Sequence, residues 1–336
     1  MQSYTNENPL SFNEILDIEN SIYNELFIQD QYNIIPQEMF IEEIRQRKIG
    51  VFKDKNYNMP QNIFFIKDYK GQILVGRKIR SILHFDNKIN AINCSRITAS
   101  MLLGILSSSK NAERDICIEY FPFTNEEKVY VFNDIKTNRM LDIEFPYKYH
   151  VFNTNSEKKS PDSGWKLNPN KAKYLGFGEE HIRAFTKMFF KKFMITQKIV
   201  YDPACSTGQF LYEFKDNFPF VKTIGQDLSE EMVSYAKRYV DEIHYGDAIN
   251  SPLPDEYVDI LFLRFLNSEV VTTEQAYTLF DKLLGKVKTG GLIACFGHTP
   301  VLIEAKYFSE RRLDILCCNG YEEETDSIFQ YYLLQK

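Results

Sequence analysis

Three carboxylates stand at the ends of apolar runs in the second half of this 336-residue chain: Asp202, Asp227 and Asp247. Asp202 opens the stretch Asp202-Pro203-Ala204-Cys205-Ser206-Thr207-Gly208, directly after Ile199-Val200-Tyr201 and directly before a helical pattern. A turn of small residues between strand and helix lets the backbone approach a ligand, which then meets the unpaired N–H groups of the helix N-terminus. Ala204 and Ser206 stand where glycines usually serve such a turn, and only Gly208 remains. Asp227 ends Thr223-Ile224-Gly225-Gln226-Asp227. An acid at the tip of a second strand can hold a ribose diol by two hydrogen bonds. Leu228-Ser229-Glu230-Glu231-Met232 then starts a helix with Ser229 as its N-cap. Gly246-Asp247-Ala248 follows a further short strand and brings a third carboxylate to the same sheet edge.

These acids need a scaffold that gathers strand ends. Apolar runs at 199–201, 222–225, 242–245, 257–263 and 291–297 read as strands, and 179–194, 208–217, 229–239 and 273–287 read as helices. Such alternation implies a parallel sheet covered by helices on both faces. Val258-Asp259-Ile260-Leu261-Phe262-Leu263-Arg264 is a buried strand running into a loop, and Lys288-Thr289-Gly290-Gly291-Leu292-Ile293 is a turn feeding the next strand. The final runs, 312–317 and 327–334, are separated by the turn signal Asn319-Gly320, so the sheet should close with an antiparallel strand.

The first half reads as α+β and shows no chemistry motif. Ile15, Ile18, Ile22 and Leu26 predict an amphipathic helix over 11–29, and Pro36 opens a second one through Phe40, Ile41 and Ile44. Residues 63–66 and 73–75 form a hairpin pattern around Asp68-Tyr69-Lys70-Gly71. A helix is expected over 97–106, and strands over 116–121, 128–132 and 141–145. The Asn-, Ser-, Pro- and Lys-rich stretch at 153–172 marks a linker. The expected organisation is therefore an accessory domain (1–152), a linker (153–172) and a ligand-binding domain (173–336).

At this point residues 175–336 resemble the class I S-adenosylmethionine-dependent methyltransferases, with five motifs in the family's order. The resemblance implies a Rossmann-like, doubly wound, mostly parallel seven-stranded α/β sheet and S-adenosyl-L-methionine as cofactor. Asp202 and the backbone of Ala204, Cys205, Ser206 and Gly208 would hold the methionine part. Asp227 would take the ribose hydroxyls, with Leu228 and Met232 beside it, and Asp247 with the Ala248 N–H would take the adenine edge. The Asp-Pro-Ala-Cys loop is also similar to that of adenine-specific DNA methyltransferases, which carry a proline-containing motif after the fourth strand. Here that position reads Phe262-Leu263-Arg264-Phe265-Leu266-Asn267, without proline.

On the acceptor side the candidates are Arg264, Asn267 and His298. The segment Arg264–Glu269 resembles small-molecule O-methyltransferases, whose histidine base is replaced here by Asn267, which takes no proton at neutral pH. His298 is the best-placed histidine at the sheet edge, while Tyr174 and His181 lie where the family places a lid. Lys187, Lys191 and Lys192 alternate with Phe189, Phe190 and Phe193, which reads as an amphipathic helix with its apolar face on the sheet.

Composition limits the partners. Lys plus Arg is 40 against 46 Asp plus Glu, a net charge of −6, which argues against DNA because nucleic-acid binding rests on excess positive charge. The apolar runs are too short to span a bilayer, and the start of the chain lacks the pattern of a signal peptide. Six cysteines without metal-ligand spacing suit a reducing, cytoplasmic setting, and no metal site is expected. The reading is methyl transfer to a small molecule, an amino-acid or α-keto-acid derivative in specialised metabolism. The N-terminal half would cover the pocket or mediate a homodimer. Methylation of a protein or RNA recognised by that half, and cofactor binding without catalysis, are the alternatives.

Overall fold

The computed structural model describes residues 37–55, 63–77, 81–85, 88–92, 95–112, 115–145, 164, 166, 179–193, 197–267, 270–297 and 299–336. Those before residue 156, together with 321–329, form one compact unit. The remainder, up to 320 and from 330 to 336, forms the other.

In the N-terminal unit, α1 (Gln37–Arg45) precedes β1 (Gly50–Lys55), β2 (Ile63–Tyr69), β3 (Gln72–Arg77), β4 (Ser81–Phe85) and β5 (Lys88–Ile92). Then come β6 (Leu102–Ala112), β7 (Asp115–Pro122), α2 (Asn125–Ile135) and β8 (Ile143–Glu144). The main sheet runs β1-β7-β6-β3-β2-β8 with every neighbouring pair antiparallel, and β4 pairs with β5 apart from it. Val129, Phe132 and Ile135 of α2 pack with Phe64, Ile66, Leu74 and Ile105 of the sheet in one core. Ile97 exchanges backbone hydrogen bonds with Ile328 (2.8 and 2.9 Å), which is how residues 321–329 join this unit.

Two sequence expectations fail here. The helix expected over 97–106 is one 3₁₀ turn, Ala99–Met101, followed by β6. Pairing on both sides decides it, and Gly104 lies so close to β7 that a Cβ there would stand 1.9 Å from the Phe121 carbonyl oxygen. The strand expected over 128–132 is the middle of α2. Its start is a capping box in which Glu127 N–H donates to Thr124 Oγ1 while Thr124 N–H donates to the Glu127 carboxylate. That local signal outweighs the β-branched and aromatic run behind it. The helix expected over 11–29 lies outside the described residues.

The second unit contains α3 (Glu180–Phe190), β9 (Ile199–Asp202), α4 (Gln209–Asn217), β10 (Lys222–Asp227), α5 (Glu230–Ala236), β11 (Glu242–Tyr245) and β12 (Val258–Leu263). It continues with α6 (Thr273–Leu284), β13 (Val287–Phe296) and α7 (Ala305–Glu310), and with β14 (Asp314–Glu322) and β15 (Ser327–Gln335) apart from their residues 321–322 and 327–329. The sheet order is β11-β10-β9-β12-β13-β15-β14, parallel from β11 to β13, with β15 antiparallel to β13. This is the expected Rossmann-like, seven-stranded α/β sheet. Both faces are buried: Phe190, Phe210, Phe214, Phe262 and Phe296 meet edge to face on one side, and Leu261, Leu263, Leu279, Phe280 and Leu283 pack on the other. Strand order reverses between β9 and β12, and ligands of open α/β sheets bind beyond the strand ends at such a point. Two turn expectations are corrected. Lys288–Gly291 lies inside β13 beside a register shift, and Asn319-Gly320 lies inside β14, the chain reversing instead at 323–326.

Candidate functional site

The strand ends at that reversal hold the acids. Asp202 is wholly buried at the end of β9, and its carboxylate accepts the Ala204 N–H (3.1 Å) and contacts the Arg264 guanidinium (3.4 Å). Burial pushes its pKa up to about 6 against the pull of Arg264 and the Ala204 N–H, and Asp227 and Glu179 add to the rise. The turn after it is held from both sides. Cys205 N–H donates to the Gln226 carbonyl (2.9 Å), and Ser206 N–H donates to the Asp227 carboxylate (2.8 Å). Ser206 and Gly208 adopt left-handed backbone (φ 54° and 76°), which costs little at Gly208. The Ser206 hydroxyl reaches the Met232 thioether at 3.6 Å, so Met232 packs under the turn.

Asp227 ends β10, and its second oxygen accepts the Ser229 N–H (2.9 Å). Burial raises this carboxyl too, against the N–H groups of Ser229 and Ser206 and the charge of Arg264. Ser229 caps α5, accepting the Met232 N–H. Gly164, with φ 74°, packs on the Leu228–Ser229 peptide, where a Cβ would lie 2.8 Å from the Ser229 nitrogen. Asp247 is exposed and accepts the Ile249 N–H (3.1 Å), opening the 3₁₀ turn Ala248–Asn250.

Sequence reading missed Tyr201 and Gln226 behind these acids and named Arg264 only as an acceptor-side candidate. Gln226, 1% exposed, donates to the carbonyls of Gly246 (3.1 Å) and Asp247 (2.8 Å), and its Oε1 pairs with the buried Tyr201 hydroxyl. Tyr201 and Gln226 immediately precede Asp202 and Asp227. The two-residue period of a strand sends them to the opposite face, and that was the available signal. Arg264 lies between Asp202 and Glu179 (3.4 and 3.6 Å) with its guanidinium 4.5 Å from the Phe210 ring centroid. Arg183 of α3 links Glu179 to Glu213 (3.4 and 2.7 Å). Burial opposes the Arg264 charge, but Glu179 and Asp202 outweigh it and hold the group protonated.

The structure thus brings together Asp202, Ala204, Cys205, Ser206, Gly208, Asp227, Leu228, Met232, Asp247, Ala248 and Arg264 at one sheet edge. Asn267 is buried, bridges to Val301, and turns its amide toward the Arg264 carbonyl (3.4 Å). His298 and Tyr174 lie outside the described residues, and His181 is buried in the first turn of α3. Among the described residues no group of three or more His, Cys, Asp or Glu side chains could hold a metal ion, and no helix is long and apolar enough to cross a membrane.

The donor set can be tested against the cofactor. Asp202, wholly buried, and Asp227, half-buried, both feel the charge of Arg264 and are both raised by burial, so the site favours a positively charged ligand. Asp227 uses one lone pair of each oxygen on a backbone N–H, which leaves the others for a diol. A sulfonium-bearing nucleoside fits both conditions. A family model described as a methyltransferase domain matches residues 200–291. Isonocardicin synthase of Nocardia uniformis subsp. tsuyamanensis is 31% identical over 281 residues, 82% of this chain and 92% of that one. The chain belongs to the S-adenosylmethionine-dependent methyltransferases. This methyltransferase is also similar to a SAM-dependent methyltransferase from Aquifex aeolicus (18% identity, 51% of this chain and 99% of that one, TM-score 0.38). A second solved likeness is the plantazolicin methyltransferase BpumL in complex with SAH (15% identity, 50% and 91% covered, TM-score 0.39). S-adenosylmethionine is its cofactor.

Proposed function

We propose that the methyltransferase acts on a small-molecule acceptor with amino-acid or α-keto-acid character, in specialised metabolism. One observation carries this reading. The likeness to isonocardicin synthase spans 281 residues, more than the second unit holds, so it extends into the N-terminal unit. The two proteins therefore share more than a cofactor site, and the relative is named as a synthase of isonocardicin.

When bound, the cofactor supplies a sulfonium methyl open to in-line attack. The chain's part is positioning, which contributes most where reactants are held at near-attack distance. Asp202 and the 204–208 turn hold the amino-acid end, Asp227 the ribose and Asp247 with Ala248 the base. Arg264, Asn267 and His298 are the acceptor-side candidates in this reading, with His298 taking the acceptor's proton. In this reading the N-terminal unit contributes to the choice of acceptor.

The test incubates the full chain with S-adenosylmethionine and a panel of amino and keto acids, following acceptor mass and the cofactor-derived product. One added methyl, matched by S-adenosylhomocysteine and insensitive to salt, is expected. Release of methylthioadenosine, the mark of transfer of another sulfonium substituent, would overturn methylation. Turnover only on RNA, with a steep salt dependence, would overturn the small acceptor.

A further inference from the structure

The side chains behind the site form a closed circuit. Ser251 Oγ lies 3.0 Å from the Tyr201 hydroxyl, which also pairs with Gln226 Oε1. Gln226 Nε2 donates to the carbonyls of Gly246 and Asp247 at 3.1 and 2.8 Å. The chain from 247 to 251 completes the ring.

The proton directions follow from the donor inventory. Two carbonyls face the amide end that must be NH₂, so Oε1 is left to accept from Tyr201. The phenol has one proton, already committed, so Ser251 donates to Tyr201. Donation therefore runs one way, from Ser251 to Tyr201 to Gln226 to the 246–247 backbone, and successive bonds polarise one another. Tyr201 is wholly buried and Gln226 nearly so, and solvent does not compete for the bond between them. None of these side chains fills the roles given to Asp202, Asp227 and Asp247. What they hold is the backbone of Gly246 and Asp247, where Gly246 has φ 142°.

We infer that Tyr201, Gln226 and Ser251 are positioning residues for base selection: they set the angle at which Asp247 and Ala248 meet the purine edge, and so favour adenine over hypoxanthine. The inference rests on the proposed role of Asp247 and Ala248 at the adenine edge. A side chain acting through backbone position leaves sulfonium and ribose contacts alone and changes the discrimination between bases.

Calorimetry on the full chain compares S-adenosylhomocysteine with its hypoxanthine counterpart, S-inosylhomocysteine, in Gln226→Met, Tyr201→Phe, Ser251→Ala and Asp247→Ala. Loss of one buried hydrogen-bond partner changes an equilibrium by about tenfold. Gln226→Met and Tyr201→Phe are expected to narrow the preference for adenine by about that factor, and Ser251→Ala by less. Ser251 is only partly buried, so its variant serves if the core variants do not fold. Lower melting temperatures with an unchanged preference in every folded variant would overturn the inference and leave the three residues a structural role. If Asp247→Ala also leaves the preference unchanged, the assignment of the base edge itself fails. If Asp247→Ala abolishes it and the circuit variants do not alter it, the circuit alone fails.

Discussion

Ser206 and Asp227 are joined by a hydrogen bond from the Ser206 N–H to the Asp227 carboxylate at 2.8 Å. The turn after β9 and the acid at the end of β10 are thereby one object, although they come from different strands. A ligand that displaces Asp227 displaces the turn, and substitution at either is felt at both.

Replacing Asp227 by Ala should weaken S-adenosylhomocysteine binding by about 1.5–3 kcal/mol, because the proposed charge-assisted hydrogen bonds to the ribose are lost together with those to the Ser206 and Ser229 N–H groups. Titration calorimetry measures it. Unchanged affinity would sink the ribose assignment.

Asp202 predicts a pH dependence with opposite signs for stability and binding. Its pKa rises from an ordinary 3.8 to about 6 in the fold. Its contribution to stability is then fully present below 3.8 and lost as pH rises through about 6. Binding of the cationic cofactor should instead strengthen from pH 5 to 7, by at most about tenfold per unit, because the ionised carboxylate attracts it. Asp202→Asn should flatten both curves in melting and calorimetry, and a wild-type affinity flat from pH 5 to 7 contradicts the assignment.

Arg264→Met should destabilise the protein by about 3–5 kcal/mol, since it leaves Asp202 and Glu179 buried without their shared cation. Urea unfolding reads this directly. The double change Arg264→Met with Glu179→Gln should recover part of the loss, and full additivity would show that the two groups do not interact.

Gly225→Ala should loosen the cofactor turn, because the new Cβ would stand 2.7 Å from Cys205 Sγ and 2.9 Å from Ile243 Cδ1. Adding Cys205→Ala removes the sulfur and should restore most of the S-adenosylhomocysteine affinity. A Gly225→Ala protein that binds normally would show that the turn moves freely.

The order of elements from β9 to β15 could be read from residues alone. Strands buried on both faces, such as Val258–Leu263, are continuous apolar runs that break sharply at polar turns. Asp202, Asp227 and Asp247 were visible for the same reason, since each marks such a break. The N-terminal unit was less legible. Residues 97–112 carry no strand alternation strong enough to overrule a helix, and the pairing of β6 with β3 and β7 is a long-range fact. Thr124 and Glu127, by contrast, spelled out a helix start that the following Val-Tyr-Val-Phe run concealed.

What the sequence determined by itself was local and periodic: the alternating strands and helices of the second half, the small-residue turn at 202–208, and the acids at strand ends. Tertiary structure alone decided which side chains stand behind those acids. Tyr201, Gln226 and Ser251 are separated by 25 and 50 positions of chain, and Glu179, Arg183 and Arg264 come from α3 and the end of β12. Periodicity specifies the face of a strand on which a residue lies, but only sheet order and register bring particular polar groups within hydrogen-bond distance across that face.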